Sequence, residues 1–478
     1  MAGALTAASA AVGPDYQRPE TPAPAAYKAS EWGDWKPGEP MDHLGRGPWW
    51  ELFNDPELDR LAVLAAGSNQ ELRAAMATVE QARAAARIAR ADLLPAVDAQ
   101  PGFRRERFSP NQEPDFGAIT ANTFRVPLDL SYELDLWGRV RRGFESARAE
   151  AASRQAALHT VLLTLQADVA QNYFRLRALD AEIAVVRRTL DLRREQVGIV
   201  DGRLEAGLGP ELDVARARTE LAVAEVERAA LERQRGELEN ALAILTGQPP
   251  PAFRLAPRPD PLGEAEPEPP LVPAGLPSAL LERRPDIAEA ERQLAADNAR
   301  IGIARAAFFP VVRLTGSGGF LSADVESLFQ WESRVWSIGP SVSLPLFAGG
   351  RHRAGLRQSK ARFEESVARY RQRILVAFGE VEDALAALRH LAVQADAQSE
   401  ALAQSLRARD LAQAGFTTGL TDFLSVIDAD REALRNERAI RQIAGQRRIA
   451  AVQLIKALGG GWENGPDKVP RDPVAVRP

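Results

Sequence analysis

One unit occurs twice in this chain, and the duplication limits the possible fold more than any other feature of its 478 residues. The stretch Ala89 to Val97 returns as Ala304 to Val312, an offset of 215. Further on the offset settles at 212, pairing Gly138-Arg139 with Gly350-Arg351, Val169–Arg177 with Val381–Arg389, and Gly207, Leu208 and Leu212 with Gly419, Leu420 and Leu424. Self-similarity at a fixed spacing means that each copy is one structural unit with the same order of elements. The chain divides accordingly into an extended segment with a short helix (1–69), a first repeat (70–247), a linker (248–277), a second repeat (278–459) and a tail (460–478). The linker holds eleven prolines in thirty residues, so it continues neither helix nor central strand.

Within each copy the hydrophobic period changes in order. A helix is expected over Gln70–Leu94 and Pro285–Phe309, ended by Pro95 and Pro310. Period two follows. Phe124, Val126, Leu128, Leu130, Tyr132, Leu134 and Leu136 alternate with polar residues, and Trp336, Ile338, Pro340, Val342, Leu344 and Leu346 do so in the second copy. Weaker alternation runs through Val97, Ala99 and Phe103, and through Val312, Leu314 and Phe320, so four strands in two hairpins are expected. A half-buried strand of a soluble sheet alternates in the same way. The first run spans thirteen residues, however, longer than the usual five or six and suited to a tilted strand crossing a bilayer.

Period 3.6 then holds from Arg139 to Arg203 and from Arg351 to Gly415, with no internal proline. Each such helix would extend about 100 Å. Gly207 to Pro210 and Thr418 to Leu420 turn the chain, and shorter helices return to Gly247 and Gly459. Four strands cannot close a useful barrel, so the chain is expected to oligomerise: three copies would supply twelve strands, with helical hairpins packed side by side as a coiled-coil cylinder. The fold class is therefore mainly α with a β-barrel part.

Composition excludes several functions. Net charge is −5 and no basic cluster is interleaved with aromatics, against nucleic-acid binding. Cysteine is absent, and His43, His159, His352 and His390 show no ligand spacing, so neither a thiolate nor a histidine metal site is expected. No cofactor motif, P-loop or nucleophile elbow appears, so no enzyme is expected. No apolar run reaches eighteen residues, which leaves a closed barrel as the only way to span a membrane. Met1 to Val12 does not read as an intact signal peptide.

Several blocks taken in order resemble the TolC-like outer membrane efflux protein family, in its lipoprotein-derived branch. They are Gly13-Pro14-Asp15-Tyr16 with Arg18-Pro19, Trp49 to Phe53, Asp55 to Leu58, Arg283 to Ile287, Leu346 to Arg351, and Asp422-Phe423-Leu424 with Asp428. The resemblance implies a homotrimeric exit duct in the bacterial outer membrane, embedded in its lipid, with a helical tunnel in the periplasm and residues 1–69 and 248–277 at its equator. Drugs or ions would arrive from an inner-membrane resistance-nodulation-division transporter through a periplasmic adaptor. A protein-secretion duct and a periplasmic coiled-coil adaptor are the alternatives. Relatives carry a lipidated cysteine where this chain has Ala10, so the barrel alone is expected to anchor it.

The resemblance also places a gate at the helix turns. Leu424 and Asp428 match a Leu and an Asp at the family's constriction, and the first copy offers Leu212, Asp213 and Arg216. From the residues alone, a solvated helical face is the simpler reading of Asp428; the resemblance reverses it. Rings of like carboxylates repel and favour cations, and an Arg216–carboxylate pair would tie neighbouring helices. Two positions depart from the family: Phe416 replaces a Tyr and Gly415 an Arg. Adaptor hairpins would dock at the turns, at Gly207 and Leu208 and at Gly419 and Leu420.

Overall fold

The computed structural model describes residues 11–20, 47–109, 111, 119–258, 270 and 284–460. Ala10, His43, most of the linker and all but Gly460 of the tail fall outside them. The elements in chain order are α1 (Pro56–Ser68), α2 (Gln70–Ala91), β1 (Ala96–Ala99), β2 (Gly102–Arg107), β3 (Thr120–Leu134), α3 (Arg139–Glu205), α4 (Glu211–Leu245), α5 (Pro285–Ala306), β4 (Val311–Ser322), β5 (Arg334–Ser343), α6 (Arg351–Thr418) and α7 (Phe423–Ala457). They form two compact units, each drawing on both sequence repeats: residues 1–21, 77–156 and 289–372 make one, and 22–76, 157–288 and 373–478 the other.

The first unit holds the antiparallel sheet, in the order β1-β3-β4-β5 with β2 also paired to β3. Five strands replace the four expected, because the first is broken at Gln100-Pro101. The register is continuous across the break: Ala99 pairs with Leu128 and Gly102 with Arg125, which sets Gln100 and Pro101 opposite Pro127 and Val126. Pro101 and Pro127, on facing strands, both lack the N–H that a ladder needs there. The other ends of the sheet are also set by proline. Continued pairing would bring both Leu136 and Leu344 to Pro310. Strand β3 therefore stops at Leu134 and β5 at Ser343, so Leu344, expected within a strand, lies beyond its end. Helices α2 and α5 likewise end three residues earlier than expected, because Pro95 and Pro310 push the preceding residues out of helical geometry. Residues 11–20 lie along this unit: the Val12 N–H donates to the Trp137 carbonyl at 3.0 Å, and Asp15 pairs with Arg142 at 2.7 Å.

The second unit is helical. Asp55 caps α1, accepting from the Glu57 and Leu58 N–H groups, with Pro56 preset at the first position. Leu58, Leu61, Ala62 and Ala65 then bury one stripe of α1 against Tyr173, Leu176, Leu242 and Phe253. Asp55 also accepts from Tyr173 Oη at 2.8 Å and from both Arg258 amino groups at 3.1 Å. Burial alone would raise this carboxyl; the Arg258 and Tyr173 hydrogen bonds outweigh it and hold the pKa below the ordinary carboxylate range. Helices α3 and α6 run for 67 and 68 residues, about 100 Å each. No helix among the described residues is long and apolar enough to cross a membrane.

Candidate functional site

Register sorts the sheet into two chemical faces. Opposed residues in an antiparallel pair share a face, so Phe124, Val126, Leu128, Leu130 and Tyr132 lie with Val97 and Phe103 on one side and with Phe320, Leu314, Trp336, Ile338 and Val342 on the other. This apolar face is largely uncovered: Trp336 is 80% exposed, Ile338 69% and Leu128 57%. The opposite face carries Asp98, Arg125, Asp129, Glu133, Arg313, Thr315, Ser317 and Ser337. A sheet with its apolar side outward and its polar side inward is the arrangement of a transmembrane barrel. Among the described residues both edges, β1/β2 and β5, are unpaired, a state that closure into a ring would abolish.

In the second unit the two helix turns share one C-terminal geometry. Gly207 and Gly419 adopt φ of +71° and +77°. The Leu208 N–H reaches back to the Arg203 carbonyl at 2.8 Å, and the Leu420 N–H to that of Gly415 at 2.7 Å. The Gly207 and Gly419 N–H groups bond Leu204 and Phe416. This is the Schellman arrangement, which glycine permits without a Cβ penalty. It leaves Leu208 and Leu420 projecting, 71% and 84% exposed.

The helices that follow begin differently. Pro210 precedes α4 without a side-chain cap, whereas the Asp422 carboxylate accepts from the Ser425 N–H at 2.9 Å and from its hydroxyl at 2.5 Å. Thr421 also folds back: its hydroxyl donates to the Ala412 carbonyl at 3.1 Å, and its methyl occupies space that a Cβ at Gly415 would need, at 2.7 Å. A side chain at Gly415 would therefore have to displace Thr421.

The expected gate residues separate into two groups. Leu424 and Asp428 stand one helical turn apart on α7, Leu424 38% exposed and the Asp428 side chain 62%. Asp428 has Arg431 of its own helix at 3.6 Å. Leu212 is also exposed, and Arg216 lies 3.9 Å from Asp213 of the same helix while its charge also helps to lower the Asp422 carboxyl. Phe416 faces the interior. It is buried with Val200, Val214, Ala217, Phe423, Val426 and Ile427, its ring 5.3 Å from Phe423, with the Arg203 guanidinium over it at 4.6 Å. An apolar ring without a hydroxyl suits that interior.

Sequence reasoning also missed a polar node above the turns. Glu220 of α4 pairs with Arg193 of α3 at 3.1 Å and Arg431 of α7 at 2.5 Å, while Gln196 donates to Asp430 at 2.5 Å. Burial pushes the Asp430 carboxyl above its ordinary value despite Gln196, Arg409 and Arg193. No periodicity distinguishes these charges from those of a solvated helical face.

The comparisons agree with this geometry. The family model described as outer membrane efflux protein matches residues 61–248 and 276–460, one match to each copy. The chain is 36% identical to the outer membrane protein OprJ of Pseudomonas aeruginosa, over 97% of this chain and 95% of that one. It is 36% identical to the solvent efflux pump outer membrane protein SrpC of Pseudomonas putida, over 94% and 95%. The solved outer-membrane channel OprN superposes with a TM-score of 0.86 at 31% identity, over 94% of this chain and 99% of that one. The chain belongs to the outer membrane efflux protein family: it is an outer-membrane channel for efflux with a barrel part and a periplasmic helical tunnel, and not an enzyme.

Proposed function

We propose that three copies of this chain close twelve strands, with β1 and β2 together forming one broken strand of each copy, into one barrel and set their helical hairpins side by side as the duct of a tripartite pump. Drugs or other small molecules would enter from an inner-membrane resistance-nodulation-division transporter through a periplasmic adaptor. The observation that carries the closure is the sheet itself, which has two faces of opposite chemistry and two unpaired edges. Small-molecule cargo rather than secreted protein is supported by the naming of a relative as part of a solvent efflux pump.

Leu424 and Asp428 form the constriction in this proposal, as an apolar ring and an acidic ring. Their support is exposure on one face of α7 while the neighbouring Phe416, Phe423 and Ile427 pack inward. Leu212, Asp213 and Arg216 line the same level from the first copy. The protruding Leu208 and Leu420, held out by Gly207 and Gly419, are the contacts offered to the adaptor.

The chain contains no cysteine, which makes the constriction directly testable. In Leu424→Cys, three thiols brought to the axis should join copies pairwise on oxidation, since a disulfide needs Cα atoms within about 7 Å. Conductance should fall and return on reduction. If the copies join no faster than in a Leu411→Cys control, also on an exposed site of the helical part, Leu424 is not at the constriction.

A further inference from the structure

The apolar face of the sheet is not apolar along its whole length. At the end of the sheet formed by the strand-connecting loops, away from the junctions with α3 and α6, the register places Arg105 and Arg107 of β2 on the same face as Phe103 and Phe124. It places Arg334 of β5 on the same face as Phe320 and Trp336. The alternate residues Arg104 and Glu106 point to the polar side, where they approach each other at 3.7 Å. At the opposite end of the apolar face, the residues are Tyr132, Leu134, Val312, Leu314, Pro340 and Val342, with no charge. An arginine on the lipid side of a barrel is strongly disfavoured at the bilayer midplane and tolerated at the interface. Three on one rim therefore mark the headgroup level.

Arg334 is held ready for an anion. Its Nε donates to the Trp331 carbonyl at 2.8 Å, and its guanidinium lies over the Trp331 ring. The Nε bond ties the guanidinium to the Trp331 turn, and among the described residues no hydrogen bond or ion pair engages its terminal amino groups. Among the described residues no carboxylate pairs with it, although Asp324, Glu326 and Glu332 lie in the adjoining loop. Phe329 packs on Phe320 at 5.6 Å and, like Trp331, is about 70% exposed, so the guanidinium has an aromatic border on the lipid side.

We infer that this rim binds the phosphate of a lipid headgroup in the outer leaflet, through Arg334 stacked on Trp331 together with Arg105 and Arg107. The inference rests on the closed ring proposed above. There the β5 edge of one copy adjoins the β1/β2 edge of the next, so Arg334 shares a seam and a face with the next copy's Arg105 and Arg107. Planar guanidinium groups pair with phosphate oxygens two at a time. The aromatic side chains provide the neighbouring contact for the acyl and sugar portions.

The test is native mass spectrometry of the full-length protein released from detergent. The probes are a bis-phosphorylated lipid A, its dephosphorylated counterpart and inorganic phosphate. The wild type should retain the phosphorylated lipid and release the other, and inorganic phosphate at equal concentration should not displace it. With about a five-fold loss per arginine, Arg105→Gln, Arg107→Gln and Arg334→Gln together should weaken retention about 100-fold. Arg313→Gln, on the polar face, should not change it. Equal retention of both lipids, or retention by the triple variant at wild-type strength, would overturn the inference. Displacement by inorganic phosphate would make this a free-anion site instead. A triple variant that no longer assembles, seen in the same spectrum, would assign the arginines to the seam between copies. A wild type found only as single chains would overturn the closed ring, and this site with it.

Discussion

The two helix turns come from equivalent positions of the duplicated sequence, yet they are packed and capped differently. Both stop their long helix with the same glycine motif. At the repeat offset of 212, however, Arg203 corresponds to Gly415, Leu204 to Phe416, Gly209 to Thr421 and Pro210 to Asp422. The second turn buries an aromatic ring, closes Thr421 over Gly415 and caps its returning helix with Asp422. The first has an exposed Leu204 where the ring would be, and no side-chain cap. Arg203 then crosses to stack on Phe416, so the first copy leans on the second. Duplication kept the stop signal, and the stabilising contacts collected on the side that also carries Asp428.

The comparison breaks most visibly at the aromatic ring. Truncating a buried phenylalanine costs about 3–5 kcal/mol, so Phe416→Ala should lower the thermal transition of the helical part sharply. Leu204→Ala, its counterpart on the exposed side, should shift it by a small fraction of that. Equal shifts would mean that the turns are equivalent after all. Gly415→Ala should come next, since the added methyl meets Thr421 and overpacking costs about 1–3 kcal/mol. Proteolysis at the second turn is the readout, and Thr421→Ala in the same chain should relieve much of the effect by removing both the methyl and the hydroxyl that crowd this position.

A symmetric control follows. Gly207→Ala and Gly419→Ala should each cost about 1–2 kcal/mol, alike at both turns because both need positive φ. The smallest expected difference is a pH effect. Hydrogen bonds from the Ser425 side chain and backbone hold the Asp422 carboxyl below its ordinary value. Its contribution is therefore complete above the ordinary carboxylate range and is lost as pH falls through the lowered value. Amide protection, taken relative to the intrinsic exchange rate at each pH, should fall at Phe423 to Ser425 on acidification but not at Glu211 to Asp213, whose turn has no side-chain cap.

Much of this was legible in the residues. The duplication, the length of the helices and the two-faced strands are written as periods that only one kind of element satisfies. The glycines at 207 and 419 are readable for the same reason, since a left-handed residue is scarce chemistry. The break at Gln100-Pro101 was not legible, because it depends on Pro127 facing it across the register, and register belongs to two strands at once. The burial of Phe416 was not legible for a similar reason: it is set by Val200 and Val214 of the other copy, which no local pattern names. Arg105 and Arg107 interrupt the alternation of β2, and only pairing with β3 shows which face they occupy.

The most direct test of a gated outer-membrane pore is planar-bilayer conductance of the purified protein, wild type beside Asp428→Ala. Small wild-type currents that rise in the variant are expected if like carboxylates line the closed constriction. Channels of unchanged conductance in the variant would remove Asp428 from the gate, and no channel in either protein would contradict the pore itself.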